Sequence, residues 1–402
     1  MKILHVNFSD NEGGAAIAVK RLHDSLLKKG YDSNLLVHSK NTLGKKIYNS
    51  ESNYILIKNL FYQSLERKLI STIKKNSFSS KSLNIFPTGL VKKINNFNAD
   101  IVNLHWIGNS MISIREISKI KAKLIWTMHS MWPFNCIDHL SENDEHINSN
   151  FLSENSTKLH FLEKYVWWQK IKYLKNLNIK IICSSKWMMD EVQRSYLFRN
   201  KKTKLIPLML GDNMFKLDNS SSKKILNFNE DKYRICCIAE NIDNSNKRIA
   251  ELIYSIDKNE FLNASNTEII LIGNYKNKII SKKNIKIEYI GKLSDEISKQ
   301  IIISSMDVVC LSSRIETFGQ VALEALSMGI PCVIFENLGS SDLINHKENG
   351  YLAKKNNFID FSNGVYWTLT NLSLKKKEIL DNFNLQFDKN KIIEDYMCFI
   401  KS

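Results

Sequence analysis

One stretch constrains this chain more than any other: Arg314-Ile-Glu-Thr-Phe-Gly-Gln-Val-Ala-Leu-Glu-Ala-Leu-Ser-Met-Gly-Ile-Pro331. Asp307-Val-Val-Cys-Leu-Ser312 before it and Cys332-Val-Ile-Phe335 after it read as short buried strands. Between them the pattern predicts a helix. Thr317 as cap and Gln320 three residues on make a capping box. Val321, Leu323, Ala325, Leu326 and Met328 supply the apolar residues, Gly329 stops the helix and Pro331 forbids its continuation. The unit is strand, loop, helix, strand, with Glu316 in the loop at the carboxyl end of the first strand. A plain βαβ unit with two solvated glutamates is the competing reading.

The placement has chemical consequences. The backbone N–H groups of Phe318, Gly319, Gln320 and Val321 would face any anion above the helix start, where donors are unpaired and the dipole is positive. Gly319 permits close approach of the backbone. Glu324 follows Glu316 by eight positions, and at ~1.5 Å per residue lies about 9 Å along the helix from its start. A carboxylate accepts two hydroxyl hydrogen bonds and so suits a sugar diol.

The Glu316-Thr-Phe318-Gly319 to Glu324 pattern resembles the donor-site signature of retaining glycosyltransferases of family 4, which have the two-Rossmann-domain (GT-B) architecture. The resemblance implies that Glu316 contacts the transferred sugar and Glu324 the ribose of a nucleoside diphosphate sugar. It also implies an α/β fold of two Rossmann-like, doubly wound domains facing across a cleft. A second match is Trp126-Thr-Met-His-Ser-Met-Trp-Pro-Phe134, similar to a subgroup of that family that reads Trp-Thr-x-His-Asp-Met-Trp-Pro-Phe. Ser130 stands where that subgroup has Asp, and Asn135-Cys-Ile-Asp-His139 replaces its Gly-Gly-Cys-His.

The 402 residues are too many for one typical core and suit two domains of roughly 200 each. We expect residues 1–205 and 206–387, with a last helix at about 388–402 crossing back to the first domain. Charge is uneven. Residues 1–200 hold 29 basic and 16 acidic side chains, or +13, leaving 28 and 25, or +3, for the remainder of a chain whose total is +16. A basic first half attracts nucleic acid, anionic membrane or anionic substrate. Neither zinc-finger spacing nor an RNP-type motif is present, which disfavours nucleic acid. A lipid phosphate or the anionic inner face of a membrane is the better partner.

No run of ~18 apolar residues predicts a transmembrane helix, and Met1–Phe8 reads as a first strand rather than a signal peptide. The seven cysteines are scattered without Cys-x-x-Cys pairs, most of them within predicted strands. A cytoplasmic enzyme, peripheral on the membrane, fits these features.

Along the chain, strand Lys2–Asn7 leads through Gly13-Gly14 into a helix at about 15–29, then strand Ser33–His38. Gly-Gly is not a dinucleotide fingerprint, although the resemblance places Gly14 at the border of the cleft. Residues 54–75 form an amphipathic basic helix, packed on the first sheet or lying at a membrane interface. Strands at 100–106 and 123–129 each carry a histidine near their carboxyl ends, His105 and His129, where ligands of open sheets bind. His129 is the candidate for contact with sugar or acceptor. Polar residues 141–158 read as a long loop, followed by a helix at 161–176, strand Lys180–Cys183 and a helix opened by Ser184-Ser-Lys-Trp. Tyr233–Ala239, Glu268–Gly273 and Ile285–Gly291 are strands of the second domain. The resemblance assigns Lys247 to the diphosphate, Arg248 to a charge the family usually carries a few residues earlier, and the backbone of Gly291 to Leu293 to the base.

The resemblance implies an enzyme that moves a sugar from a nucleoside diphosphate sugar with retention of configuration, and the basic first half points to a lipid-linked glycan or surface polysaccharide as acceptor. No Asp-x-Asp occurs, so we expect no cofactor and no metal, with Lys247 and the helix start in its place. A sugar-nucleotide epimerase and a non-catalytic nucleotide-sugar binding protein are the alternatives.

Overall fold

A computed structural model of the chain describes residues 1–50, 53–73, 78–142, 160–212, 219–229, 231–264, 266–281, 285–293 and 295–402. The expected loop at 141–158 lies outside them apart from its first two residues. The chain divides into two compact units, Met1–Met209 with Asn390–Ser402, and Leu210–Lys389.

Among the described residues the first unit holds a seven-stranded sheet. Its strands are β1 (Lys2–Ser9), β2 (Asp32–Ser39), β3 (Ile47–Asn49), β4 (Ile101–Leu104), β5 (Lys123–Met128), β6 (Ile179–Cys183) and β7 (Thr203–Leu205). They run in the order β3-β2-β1-β4-β5-β6-β7, and every neighbouring pair is parallel. The central strands are buried along almost their whole length, as parallel sheets covered by helices on both faces require. Trp126, Trp132, Trp167 and Phe198 fill one core of this unit.

The other face is closed by the helix Lys389–Lys401, whose Ile392, Ile393, Tyr396 and Ile400 pack with Ile3, Ile101, Ile125 and Ile182. Ile206 and Met209 belong to the same cluster. The division therefore falls after Met209 rather than after residue 205, because the connecting segment stays packed on the first sheet.

The second unit holds a six-stranded sheet among the described residues: β8 (Tyr233–Asn241), β9 (Thr267–Asn274), β10 (Lys286–Gly291), β11 (Val308–Leu311), β12 (Cys332–Phe335) and β13 (Gly350–Ala353). Its order is β10-β9-β8-β11-β12-β13, again parallel throughout. In each unit the order reverses beside the first strand, between β1 and β4 and between β8 and β11. Ligands of such sheets sit beyond the carboxyl ends of the strands at that point.

Two local expectations are corrected. The helix of the signature stretch is Gln320–Leu326, and its N-cap is Gly319 at φ 88°, with no side-chain cap. Thr317 does not cap because its backbone lies against residues 339–340. The Gly339 amide donates to the Glu316 carbonyl at 2.7 Å, and a Cβ on Gly339 would lie 2.0 Å from the Thr317 carbonyl oxygen. The basic helix expected over 54–75 spans Asn53–Ser71. Its Glu66 is buried, accepting from the amides of Leu83 at 2.9 Å and Asn84 at 3.1 Å.

Among the described residues no helix is long and apolar enough to cross a membrane. Six cysteines are buried and Cys398 is exposed. Burial pushes the thiols of Cys136, Cys183 and Cys237 up to about 12, so they act as small apolar side chains.

Candidate functional site

In the second unit, the loops following β8 and β11 are laced together by backbone and amide bonds. Asn246, buried, donates from Nδ2 to the Ile315 carbonyl at 2.9 Å and accepts from the Ile315 amide at 3.1 Å. The Arg314 amide donates to the Asn246 carbonyl at 2.7 Å, and Ser312 Oγ to the Lys247 carbonyl at 2.7 Å. This lacing fixes Lys247 beside Glu316, with Nζ 2.8 Å from Oε2. Ser313 joins them: its Oγ donates to Glu316 Oε2 at 3.2 Å and lies 3.4 Å from Lys247 Nζ. Lys247 keeps 30% of its side-chain exposure and Glu316 18%, so both remain reachable by a ligand.

Sequence reasoning missed Asn246 and Ser313, which carry no motif of their own. It also missed the partner of Glu324. That carboxylate is only 2% exposed, and its Oε2 pairs with Lys299 Nζ at 2.6 Å, from the neighbouring helix Glu296–Ser304. Phe318 is buried beneath the turn, while Gln320 and Val321 are half-buried in the first turn of their helix. Gly319 lies so close to the next loop that a Cβ would stand 2.6 Å from Ser340 Cβ.

Arg248 is not gathered with Lys247 and Glu316. Its guanidinium stacks 4.5 Å from the Phe358 ring, donates to Asn356 Oδ1 at 2.5 Å and lies 3.8 Å from Glu251. Gly291 ends β10 at φ 80°, with open space where a Cβ would point, and Leu293 is half-buried. Lys292 reaches Glu240 across 3.5 Å, tying the ends of β10 and β8.

In the first unit, Gly13 at φ 83° turns the chain from β1 into the helix Gly14–Lys28, and Gly14 is exposed. Buried Asp10 holds the facing loop by accepting from the amides of Asn41 and Thr42, each at 2.8 Å. His129 follows β5, half-buried, with Nε2 2.9 Å from His105 Nδ1. Burial lowers its pKa to about 4, so it is neutral in ordinary buffers.

Ser130, where the subgroup pattern has Asp, sits 3.0 Å from His139 Nδ1. The same nitrogen accepts from Trp106 Nε1 at 3.0 Å, which places the His139 proton on Nε2, 2.9 Å from Ser82 Oγ. His139 lies between the rings of Trp106 and Trp132. Lys170 ties the same loop down by donating to the carbonyls of Trp132, Asn135 and Cys136. Buried lysine and stacked rings thus hold this loop.

Two Rossmann-like units, each with its reversal of strand order, are the components of the GT-B glycosyltransferases, and solved structures share the fold. Anabaena Alr3699/HepE in complex with UDP and glucose is similar with a TM-score of 0.68 at 14% identity, over 100% of both chains. WaaG, a glycosyltransferase involved in lipopolysaccharide biosynthesis, is similar with a TM-score of 0.63 at 11% identity, over 99% of both.

Residues 12–209 match the model for Glycosyltransferase Family 4, and residues 218–382 that for Glycosyl transferases group 1. The chain belongs to this family of glycosyltransferases. An uncharacterized glycosyltransferase of Methanocaldococcus jannaschii is 27% identical over 281 residues, 69% of this chain and 72% of that protein. One of Haemophilus influenzae is 30% identical over 99 residues, 23% of this chain and 27% of that protein. The chain therefore spans about a quarter of the Haemophilus relative's length.

Proposed function

We propose that this glycosyltransferase moves a hexose from a nucleoside diphosphate sugar to a lipid-linked glycan or surface polysaccharide, with retention of configuration and without a metal. The observation that carries the reading is the Lys247–Ser313–Glu316 cluster at the reversal point of the second sheet. A diphosphate is the anion that competes best for Lys247, because it outweighs one carboxylate in charge. Glu316, released from its lysine, accepts from sugar hydroxyls. The backbone N–H groups from Gly319 to Val321 add donors to the phosphate oxygens, Glu324 takes the ribose once Lys299 swings away from it, and Gly291 to Leu293 hold the base.

In the transfer, the bond between the anomeric carbon and the diphosphate oxygen breaks, and its electron pair leaves with the diphosphate. The acceptor hydroxyl oxygen forms the new bond on the same face and gives its proton to the departing diphosphate oxygen. Lys247 and the backbone donors stabilise the charge growing on the leaving group, which is where preorganised electrostatics lower a barrier most. No protein nucleophile is invoked. His129 hydrogen-bonds the sugar or the acceptor. Solved structures of similar fold contain UDP or UDP-sugars, which supports a nucleotide-sugar donor here.

The acceptor and its membrane are assigned to the first unit on charge. The helix Asn53–Ser71 exposes Leu60, Phe61, Arg67 and Lys68, an apolar and basic combination suited to an anionic lipid surface on the cytoplasmic side. Flotation with phosphatidylglycerol vesicles should carry the protein upward, and equal, negligible flotation with neutral and anionic vesicles contradicts this part.

The transfer itself is tested by offering UDP-, GDP- and ADP-sugars with and without a bacterial lipid extract, in the presence of EDTA. Nucleotide release from one donor, dependent on the extract and abolished by Glu316→Gln, is expected. An isomerised nucleotide sugar without any acceptor, or retained binding with no turnover, contradicts it.

A further inference from the structure

The helix Phe161–Leu174 is apolar on two sides. Its inner residues Leu162, Val166, Trp167 and Leu174 pack into the core with Trp126 and Trp132. Its outer side carries Phe161, Tyr165 and Trp168, which are 67%, 44% and 40% exposed. Steps of four and three residues put these rings in one row along the helix surface. Exposed Lys172 continues the row, which runs for about 16 Å at ~1.5 Å per residue.

The row is ordered. Tyr165 and Trp168 stack with centroids 5.9 Å apart at 24°, and Lys172 Nζ lies 4.7 Å from the Trp168 ring. Gln169 Nε2 donates to the Tyr165 hydroxyl at 2.7 Å. A solvated helix face is ordinarily polar. Single exposed apolar residues need no partner, but three rings in a row hold a continuous apolar strip against water, the mark of a contact surface.

Charge selects the occupant. Glu163, the one acid of the helix, turns back to its own start, where Oε2 accepts from the His160 amide at 2.9 Å. Lys164 and Lys172 flank the rings, and residues 1–200 hold 29 basic against 16 acidic side chains. Such a surface repels a second copy of itself and attracts an anionic bilayer. Trp and Tyr, apolar with one polar edge, suit the boundary between headgroups and acyl chains.

A second observation agrees. The helix Asn53–Ser71, with exposed Leu60 and Phe61, leans on the same side of the first sheet. Its Leu69 and Ile70 join the cluster that holds Leu162 and Val166, whereas Lys389–Lys401 covers the opposite side. One flat surface can therefore meet both helices.

We propose that the outer face of Phe161–Leu174 is a lipid contact in which Phe161, Tyr165 and Trp168 enter the headgroup boundary of an anionic bilayer, while Lys164 and Lys172 rest on its phosphates. The inference rests on the membrane reading above. It adds a second contact and a mode of binding, the insertion of rings rather than charge alone.

The test uses the full-length protein and vesicles of phosphatidylglycerol and phosphatidylcholine, with plain or brominated acyl chains. Bromine quenches a tryptophan that reaches it. The wild type should float and lose fluorescence on the brominated vesicles. Trp168→Phe keeps an apolar ring, so it should float equally well while most of the quenching disappears. Tyr165→Ser combined with Trp168→Ser should weaken flotation about tenfold or more, since two aromatic side chains no longer leave water. Far-UV circular dichroism like that of the wild type certifies that variant's fold. Flotation without quenching, quenching that survives Trp168→Phe, or undiminished flotation of the double variant overturns this contact and leaves the membrane reading to Asn53–Ser71. A wild-type dimer that the double variant dissolves, with flotation unchanged, overturns it in favour of a second copy. A wild type that floats on no vesicle overturns the membrane reading and this contact with it.

Discussion

Lowering the pH from 7.5 to 5.5 should destabilise the first unit sharply. His5, His105, His129 and His139 are held neutral by burial, with pKa values lowered to about 3 for His5 and His139 and about 4 for His129, and well below the usual range for His105. The unfolded chain binds protons at these sites below ~6.5, while the folded chain does not. Their contribution is present above 6.5 and is lost as pH falls from there toward the native pKa values. At pH 5.5 each costs about 1.4 kcal/mol, so the four together cost roughly 5 kcal/mol. That is comparable to the whole stability of an ordinary domain, ~5–15 kcal/mol. Glu66, whose pKa burial raises, works in the opposite direction but mainly nearer the carboxylate range.

Urea unfolding followed by tryptophan fluorescence reads this well, because six of the seven tryptophans lie in residues 1–209. The midpoint should drop steeply over this window. In His139→Asn, which cannot titrate, the pH-dependent loss should shrink by about 1.4 kcal/mol. A midpoint unchanged between pH 7.5 and 5.5 would refute the claim that these rings are held neutral in the folded protein.

Two substitutions test the packing around the site and the first core. Gly319→Ala must adopt φ 88° and push into Ser340, 2.6 Å from the new Cβ; a loss of about 2–5 kcal/mol is expected in chemical denaturation, with weakened nucleotide binding. Glu66→Ala strands the amides of Leu83 and Asn84 and should cost about 2–5 kcal/mol, with a smaller loss for Glu66→Gln.

Strands of both sheets were legible as short apolar runs bounded by polar residues or Pro, as at 307–312 and 332–335. Short edge strands such as β3 (Ile47–Asn49) were not, because three residues, of which only Ile47 is buried, carry no period. Glu316 and Lys247 announced themselves through motif and position. Asn246 and Ser313, which hold the pair in place, did not, since their role depends on two loops meeting across 65 or more positions of sequence. The Thr317 capping box failed for a related reason: a local signal was overridden by the backbone of Gly339 and Ser340 pressing on the turn. Lys299 belongs to no motif in the sequence, yet in the fold it is the ion-pair partner of buried Glu324. The resemblance puts Arg248 in place of a basic residue the family carries earlier; in the fold its guanidinium stacks on Phe358 and bonds Asn356, contacts that no motif signals.

The most direct test of the donor site is calorimetric titration of UDP, GDP and ADP into the wild-type protein and into Lys247→Ala. The account predicts that one nucleotide binds the wild type, and that the variant binds it about 10–100-fold more weakly, as expected for a lost charge-assisted contact of ~1.5–3 kcal/mol. Equal affinity in the variant, or no binding of any nucleotide by the wild type, would contradict it.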